Sequence, residues 1–314
     1  MNLNPVNLIK ELRVNSGPLE GAFVVAPAGK INWYFANLGL QGIARKLSPE
    51  DLDHYVRKYL DCFISQLEAD STIFDVVGTT KIDPDSHDSY ASTFLSLAAL
   101  YVRLSNNKEW YLANQSKLND IAYFNLTTQI KPNKLITTFQ SPHPYNVGFN
   151  MDNCENYRGL IDYSYLLKSF NNTNDLYFFQ MAEDVATGLK GLYDPMTKAF
   201  KPSDVATGVE KSFYPGTTTQ IFAQAFGVLP LSSYYASAWK FLVNNSPYWR
   251  TLAYDPFPWM ILSTVAAKRG ATSQAKAQLA ACDKLFATDR AKVTINELGW
   301  YQRTLNILNC PNEA

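Results

Sequence analysis

Interrupted helical periodicity is the feature that most limits what this chain can fold into. Apolar residues recur at helical spacing, and each stretch is stopped by Pro, Gly, Asn or Ser. The stretches come in pairs, at about 32–46 with 49–69, 85–104 with 108–127, 152–169 with 175–192, 217–226 with 232–243, and 256–268 with 273–287. A last stretch, at about 296–308, finds its partner in 5–14 at the other end of the chain. Ser48-Pro49-Glu50-Asp51 reads as a helix start, because Ser caps, Pro suits the first position and acids favour the first turn.

Within each pair the first helix is the more apolar and aromatic. The second is amphipathic, as 51–68 shows with Asp53, Arg57, Lys58 and Asp61. A helix apolar all round is buried and one with a polar face is external. First members therefore form an inner ring and second members an outer ring. Six such hairpins make an all-α (α/α)6 barrel. The pairs recur roughly every 40 to 65 residues, a repeat of architecture without a repeat of sequence. No linker, charge block or low-complexity tract divides the chain, so residues 1–314 read as one domain. Long connections at 128–151 and 193–216 suit a role over a barrel mouth.

Charge excludes one class of partner. Lys+Arg and Asp+Glu are both 28, so there is no global basic surplus to offset nucleic-acid phosphate. No apolar run approaches the roughly 20 residues that span a bilayer. The N-terminus shows no basic segment followed by an apolar one, so the sequence as written reads as cytoplasmic, or as secreted if a signal has been removed. Oligomeric state is not legible. Cys62, Cys154, Cys282 and Cys310 match no zinc or redox spacing and read as buried thiols, with a Cys282–Cys310 disulfide as the alternative. No metal or organic cofactor is implied.

Chemistry concentrates at the starts of the inner helices. In order these read Asn32-Trp33-Tyr34-Phe35, Asp85-Ser86-His87-Asp88-Ser89-Tyr90, Asp152-Asn153-Cys154-Glu155-Asn156-Tyr157, Tyr214-Pro215 with Gln220, Asp255-Pro256-Phe257-Pro258-Trp259, and Glu297-Leu298-Gly299-Trp300-Tyr301. Asp85 and Asp88 are spaced for one helix face, as are Asp152 and Glu155. Any one acid is explained as a helix cap. Paired acids on two buried helices exceed what capping needs, and burial costs them unless they face a wet cavity.

These segments resemble the six-hairpin glycosidase superfamily. The resemblance rests on 85–95, on 152–160, and on Phe213-Tyr214-Pro215 with Gln220 and Phe226-Gly227. It implies an (α/α)6 barrel with acids at its mouth and activity on a glycosidic bond. Glycoside hydrolysis uses two carboxyl groups flanking that bond. The catalytic candidates are Asp88, Asp85, Asp152 and Glu155, with Asp88 paired to Asp152 or Glu155. Trp33, Tyr34, Tyr90, Tyr157, Tyr214, Trp259 and Trp300 are candidate stacking surfaces for an oligo- or polysaccharide, with Gln220 and Glu297 as polar contacts. The sequence departs from family 8 glycoside hydrolases, whose first inner helix carries a Glu. Here that place reads Asn32-Trp33-Tyr34-Phe35-Ala36-Asn37, so that proton donor does not carry over.

Three rivals remain. A polysaccharide lyase would draw on His87, His143 and Arg158. Isoprenoid chemistry would use Asp85-Ser86-His87-Asp88 as a DxxD motif holding Mg²⁺ on a diphosphate, but no second metal motif and no basic groups for the diphosphate accompany it. A non-catalytic carbohydrate-binding protein would keep the fold and use the acids only as caps.

Overall fold

The structure, a computed structural model, describes residues 3–309. In chain order it contains α1 (Pro5–Lys10), α2 (Trp33–Ile43), α3 (Pro49–Asp51), a π segment (Leu52–Arg57), α4 (Lys58–Ser65), and strands β1 (Asp75–Val77) and β2 (Thr80–Ile82). Then come α5 (Asp88–Ser105), α6 (Lys108–Asn125), α7 (Asn150–Ser169), α8 (Asp175–Gly191), β3 (Tyr193–Asp194) and β4 (Ala199–Phe200). The chain closes with α9 (Phe222–Ala225), α10 (Tyr235–Asn245), α11 (Ile261–Lys268), α12 (Thr272–Thr288) and α13 (Ile295–Asn309). Side-chain caps set several starts. Asn32 accepts from Phe35 N, Ser48 from Asp51 N and Asn107 from Trp110 N.

Contacts divide the chain into two compact units. The first holds the chain up to Gln66, Phe74–Pro84, and the chain from Pro247 on; the second holds Leu67–Ile73 and Asp85–Ser246.

In the first unit α2 and α13 lie against each other with Gly39 facing Ile295 and Gly42 facing Gly299. Both positions advance together, so the two helices run parallel. A Cβ on Gly42 would stand 2.3 Å from the Gly299 carbonyl oxygen, so only glycine admits this approach. α11 joins α13 through Thr264, whose hydroxyl donates to the Trp300 carbonyl at 3.0 Å. α12 packs on α11, and α1 on α13. Tyr59 of α4 donates to Asn37 Oδ1 of α2 at 2.8 Å. The β1–β2 hairpin is antiparallel, and its buried Asp75 accepts from Lys30 Nζ and Asn32 Nδ2, each at 2.8 Å.

In the second unit α5 and α7 are parallel neighbours. Asn156 reaches Asp88, and one turn on Gly159 faces Ser92, where a Cβ would stand 2.5 Å from the Ser92 carbonyl oxygen. α5 is buried at every residue from Asp88 to Ala98. Its partner α6 buries chiefly a stripe of Trp110, Tyr111, Leu118, Ile121 and Ala122, and α8 buries Phe178, Met181, Ala182, Val185 and Leu189. That contrast within a hairpin is the one the periodicity predicts. Tyr235 of α10 donates to the Ala223 carbonyl of α9 at 3.0 Å.

Four expectations need correction. The helix expected from Asp85 begins at Asp88, so Asp85 precedes it in a bend and is exposed. The stretch 217–226 is not one helix. Pro215 contributes no N–H, and the Thr217 and Thr218 hydroxyls bond back to the Phe213 and Pro215 carbonyls, splitting it into a π turn, a 3-10 turn and α9. The stretch 256–268 becomes helical only at Ile261, because Pro256 and Pro258 break it and Trp259 adopts a left-handed backbone at φ 49°. The two short hairpins, too brief for an alternating pattern, were not expected. Among the described residues Cys62, Cys154 and Cys282 are free and buried, while Cys310 lies outside them. No helix among the described residues is long and apolar enough to cross a membrane.

Candidate active site

The acids of α5 and α7 meet in the second unit. Asp88 opens α5 and is fully buried. Its Oδ1 accepts from Ser89 N at 2.8 Å, and its Oδ2 accepts from Asn156 Nδ2 at 2.8 Å. Asp152 and Glu155 stand in the first two turns of α7, the end at which Asn156 touches Asp88. Parallel packing of two inner helices therefore brings three carboxyl groups to one place.

Burial pushes the Asp88 carboxyl well above the usual aspartate range. The nearby charges of Asp152 and, less strongly, Glu155 add to this against the hydrogen bond from Asn156. Asp152 is only part-buried as a residue, but its carboxyl is ringed by protein, and this desolvation raises it to about 6. Two neighbouring carboxyls titrate as a pair, so the proton belongs to both.

A loop residue completes the arrangement. The Thr138 carbonyl accepts from His87 N at 2.8 Å and Asp88 N at 3.3 Å, fixing the loop at the start of α5. The Thr138 hydroxyl lies 3.0 Å from the Val147 carbonyl and 3.4 Å from Asp152 Oδ2. It has one proton, and the shorter contact claims it. The longer contact, in which the hydroxyl is again the donor, is the weaker of the two, and it lowers the Asp152 carboxyl against the burial that raises it. Asn153 pegs the same loop from α7, since its Oδ1 accepts from Ile136 N at 2.7 Å and its Nδ2 donates to the Ile136 carbonyl at 3.0 Å.

Two polar atoms beside Asp88 are left over. Ser89 Oγ and Asn156 Oδ1 are buried with no hydrogen-bond partner. Each such group costs about 1–3 kcal/mol, and unsatisfied polar atoms in native proteins mark sites kept for something other than stability. Among the described residues no group of three His, Cys, Asp or Glu could hold a metal ion.

The other candidates fall out differently. Asp85 is exposed, and its backbone N–H meets the Tyr90 hydroxyl at 3.4 Å, so it does not share a helix face with Asp88. Trp33, Tyr90, Tyr157 and Trp300 are buried among helices and are corrected from stacking surfaces to core. Trp33 donates to the Phe74 carbonyl at 2.8 Å and packs on Tyr59 and Phe63, while Arg303 covers the Trp300 ring at 4.2 Å. Gln220 is also corrected. Its amide accepts from Phe200 N and donates to the Phe200 and Gly216 carbonyls, at 2.7–3.0 Å, holding β4 to the turn before α9. Tyr214 is exposed, and Tyr34 and Trp259 are half-buried. In the first unit buried Glu297 accepts from Met260 N at 2.6 Å, so it ties the start of α13 to that of α11 instead of capping its own helix. Burial, with the Asp255 charge, pushes Glu297 up to about 7.

Sequence reasoning missed an aromatic run in the 126–149 connection. Phe139 stacks on His143 at 4.3 Å and meets His87 edge-on at 5.1 Å, and Tyr145 lies 6.4 Å from Phe139 and 6.0 Å from Phe149. The density of rings in a segment without helical periodicity was the available signal.

No protein-family model matches the chain, and no curated protein does either. Solved structures do. A glycosidase variant in complex with glucose is 11% identical, with a TM-score of 0.67 over 97% of this chain and 95% of that one. A rhamnosidase from Klebsiella oxytoca with rhamnose bound is 12% identical, with a TM-score of 0.66 over 96% of this chain and 63% of that one. An alpha-L-rhamnosidase from Dictyoglumus thermophilum is 11% identical, with a TM-score of 0.64 over 98% of this chain and 37% of that one. At such identities the likeness shows the fold: all-α, of the (α/α)6 six-hairpin class, glycosidase-like.

Proposed function

We propose that the chain is a glycoside hydrolase acting on an oligo- or polysaccharide, with Asp152 and Asp88 as its working pair. The observation that carries this reading is the meeting of Asp88, Asp152 and Glu155 at one end of two parallel helices, with Asp152 raised to about 6. A carboxyl of that kind stays protonated up to about pH 6, keeps a fraction of its protons at neutral pH and gives them up readily, as a general acid must. Part-exposed Asp152 protonates the glycosidic oxygen. Asp88, fully buried and itself raised well above the aspartate range, is the partner that keeps Asp152 protonated. Glu155 acts on the pair electrostatically.

A lyase finds less support. Arg158, which would hold a uronate, is clasped by Asp162 one turn along α7. Full burial of Asp88 favours one other reading, a carbohydrate-binding protein on the same fold with no turnover. Reducing-end release from a broad glycan panel separates the two. Wild type should turn over at least one glycan, and Asp152→Asn and Asp88→Asn should each lose about 10²–10⁴-fold while staying folded. Binding without turnover would replace the hydrolase with the binder.

A further inference from the structure

We propose that the segment 137–149 provides a preformed stacking surface for a pyranose ring beside Asp152, with Tyr145 and His143 as its outer rings. The substrate class rests on the hydrolase reading, but the surface itself is tested by binding alone.

Position comes first. Thr138, which touches Asp152, directly precedes Phe139, and Phe149 stands at the N-cap of α7, within a turn of Asp152. The ring run therefore begins and ends at the carboxyl site. Its two faces differ. Phe139 is covered on one side by His143, is met edge-on by His87, and is half-buried. Tyr145 is 48% exposed and His143 is exposed. An aromatic ring left in water forgoes the stabilisation of burial, and a flat apolar face with a polar tip suits the C–H face of a sugar.

Rigidity comes second. Gln140 Nε2 donates to Asn125 Oδ1 at 2.8 Å and to the Asp70 carbonyl at 3.1 Å, and Gln140 N donates to His87 Nδ1 at 3.2 Å. Gln129 Oε1 accepts from Ser141 N at 2.9 Å. At the far end Lys131 Nζ donates to the Asn146 carbonyl at 3.0 Å and to Asp204 Oδ2 at 2.6 Å, and Asp204 Oδ1 accepts from Gly148 N at 3.1 Å. Tyr145 N donates to His143 Nδ1 at 3.1 Å, fixing the His143 ring to the backbone of Tyr145. A long connection pinned at both ends has already lost most of its freedom, so a ring that stacks on it meets little ordering cost. A protein partner needs roughly 800 Å² per side, far more than these few rings offer.

The test is calorimetric titration with neutral and uronate-bearing oligosaccharides in the Asp152→Asn background, which removes turnover. Tyr145→Ala should weaken binding about five- to tenfold or more, and Tyr145→Phe should keep it, because the ring and not the hydroxyl carries the contact. Thermal midpoints of both variants should match the parent. The neutral and uronate arms identify which sugar the surface takes. Equal affinity of Tyr145→Ala and its parent, equal loss in Tyr145→Phe, or no binding of any oligosaccharide would overturn the proposal. Weakened binding in Tyr145→Ala with no turnover by wild type would uphold the surface and remove the hydrolase. Wild-type turnover with undiminished binding in Tyr145→Ala would do the reverse.

Discussion

At Asp152 and Glu297 the folded chain favours the protonated carboxyl over the charged one. Both are raised by desolvation, Asp152 from 3.8 to about 6 and Glu297 from 4.5 to about 7. A group raised on folding contributes stability that is complete below its unfolded value and is lost as pH rises through its folded value. Glu297 therefore removes stability between about pH 4.5 and 7, on the order of 3 kcal/mol. Glu297→Gln keeps an oxygen for Met260 N and cannot ionise. We expect urea midpoints of this variant to stay flat across that window where wild type declines, and an equal decline in both would refute the assignment. Asp152→Asn should likewise be more stable than wild type at about pH 8 and no different at about pH 4, since a site residue trades stability for function. At this scale the sequence was half legible. The spacing of Asp152 and Glu155 puts both acids on one helix, and both stand on α7. It could not show that Asp85 stands outside α5, or that the rings of Trp33, Tyr90, Tyr157 and Trp300 face protein on all sides, because helical periodicity gives a residue's face but not what covers it.

Between elements, the site depends on how closely α5 and α7 approach. Gly159 sets that distance, with its Cα against Ser92. Gly159→Ala places a methyl 2.5 Å from a backbone carbonyl, which only a helix shift relieves. We expect destabilisation of about 1–3 kcal/mol by chemical denaturation, and reduced turnover because Asn156 moves from Asp88. A neutral outcome would mean that the interface is looser than the distances imply. Helix identity was legible because long periodic runs leave little choice. Where Pro215, Thr217, Thr218, Pro258 and the left-handed Trp259 intervene, local backbone chemistry overrides the apolar pattern, and those helices start about five residues later than the pattern predicts.

For the molecule as a whole, equal numbers of acidic and basic residues leave a formal net charge of zero near neutral pH. Colloidal association at low salt should therefore peak near pH 7 and fall to either side, as light scattering would show. A scattering maximum well away from neutrality would contradict it. The fold class was readable from pairing and periodicity alone, and the likeness to glycosidases at 10–12% identity agrees with it. The aromatic segment beside Asp152 was signalled only by its density of rings, because a connection without periodicity does not say which rings come together.

The measurement that bears most directly on the account is the pH dependence of glycan cleavage by wild type and Asp152→Asn, from about pH 4 to 9. If Asp152 is the acid, wild-type kcat/KM falls as pH rises through a value near 6, and the variant is slower by about 10²-fold or more with that limb gone. A folded Asp152→Asn that retains wild-type turnover and the same limb would show that the proton comes from elsewhere.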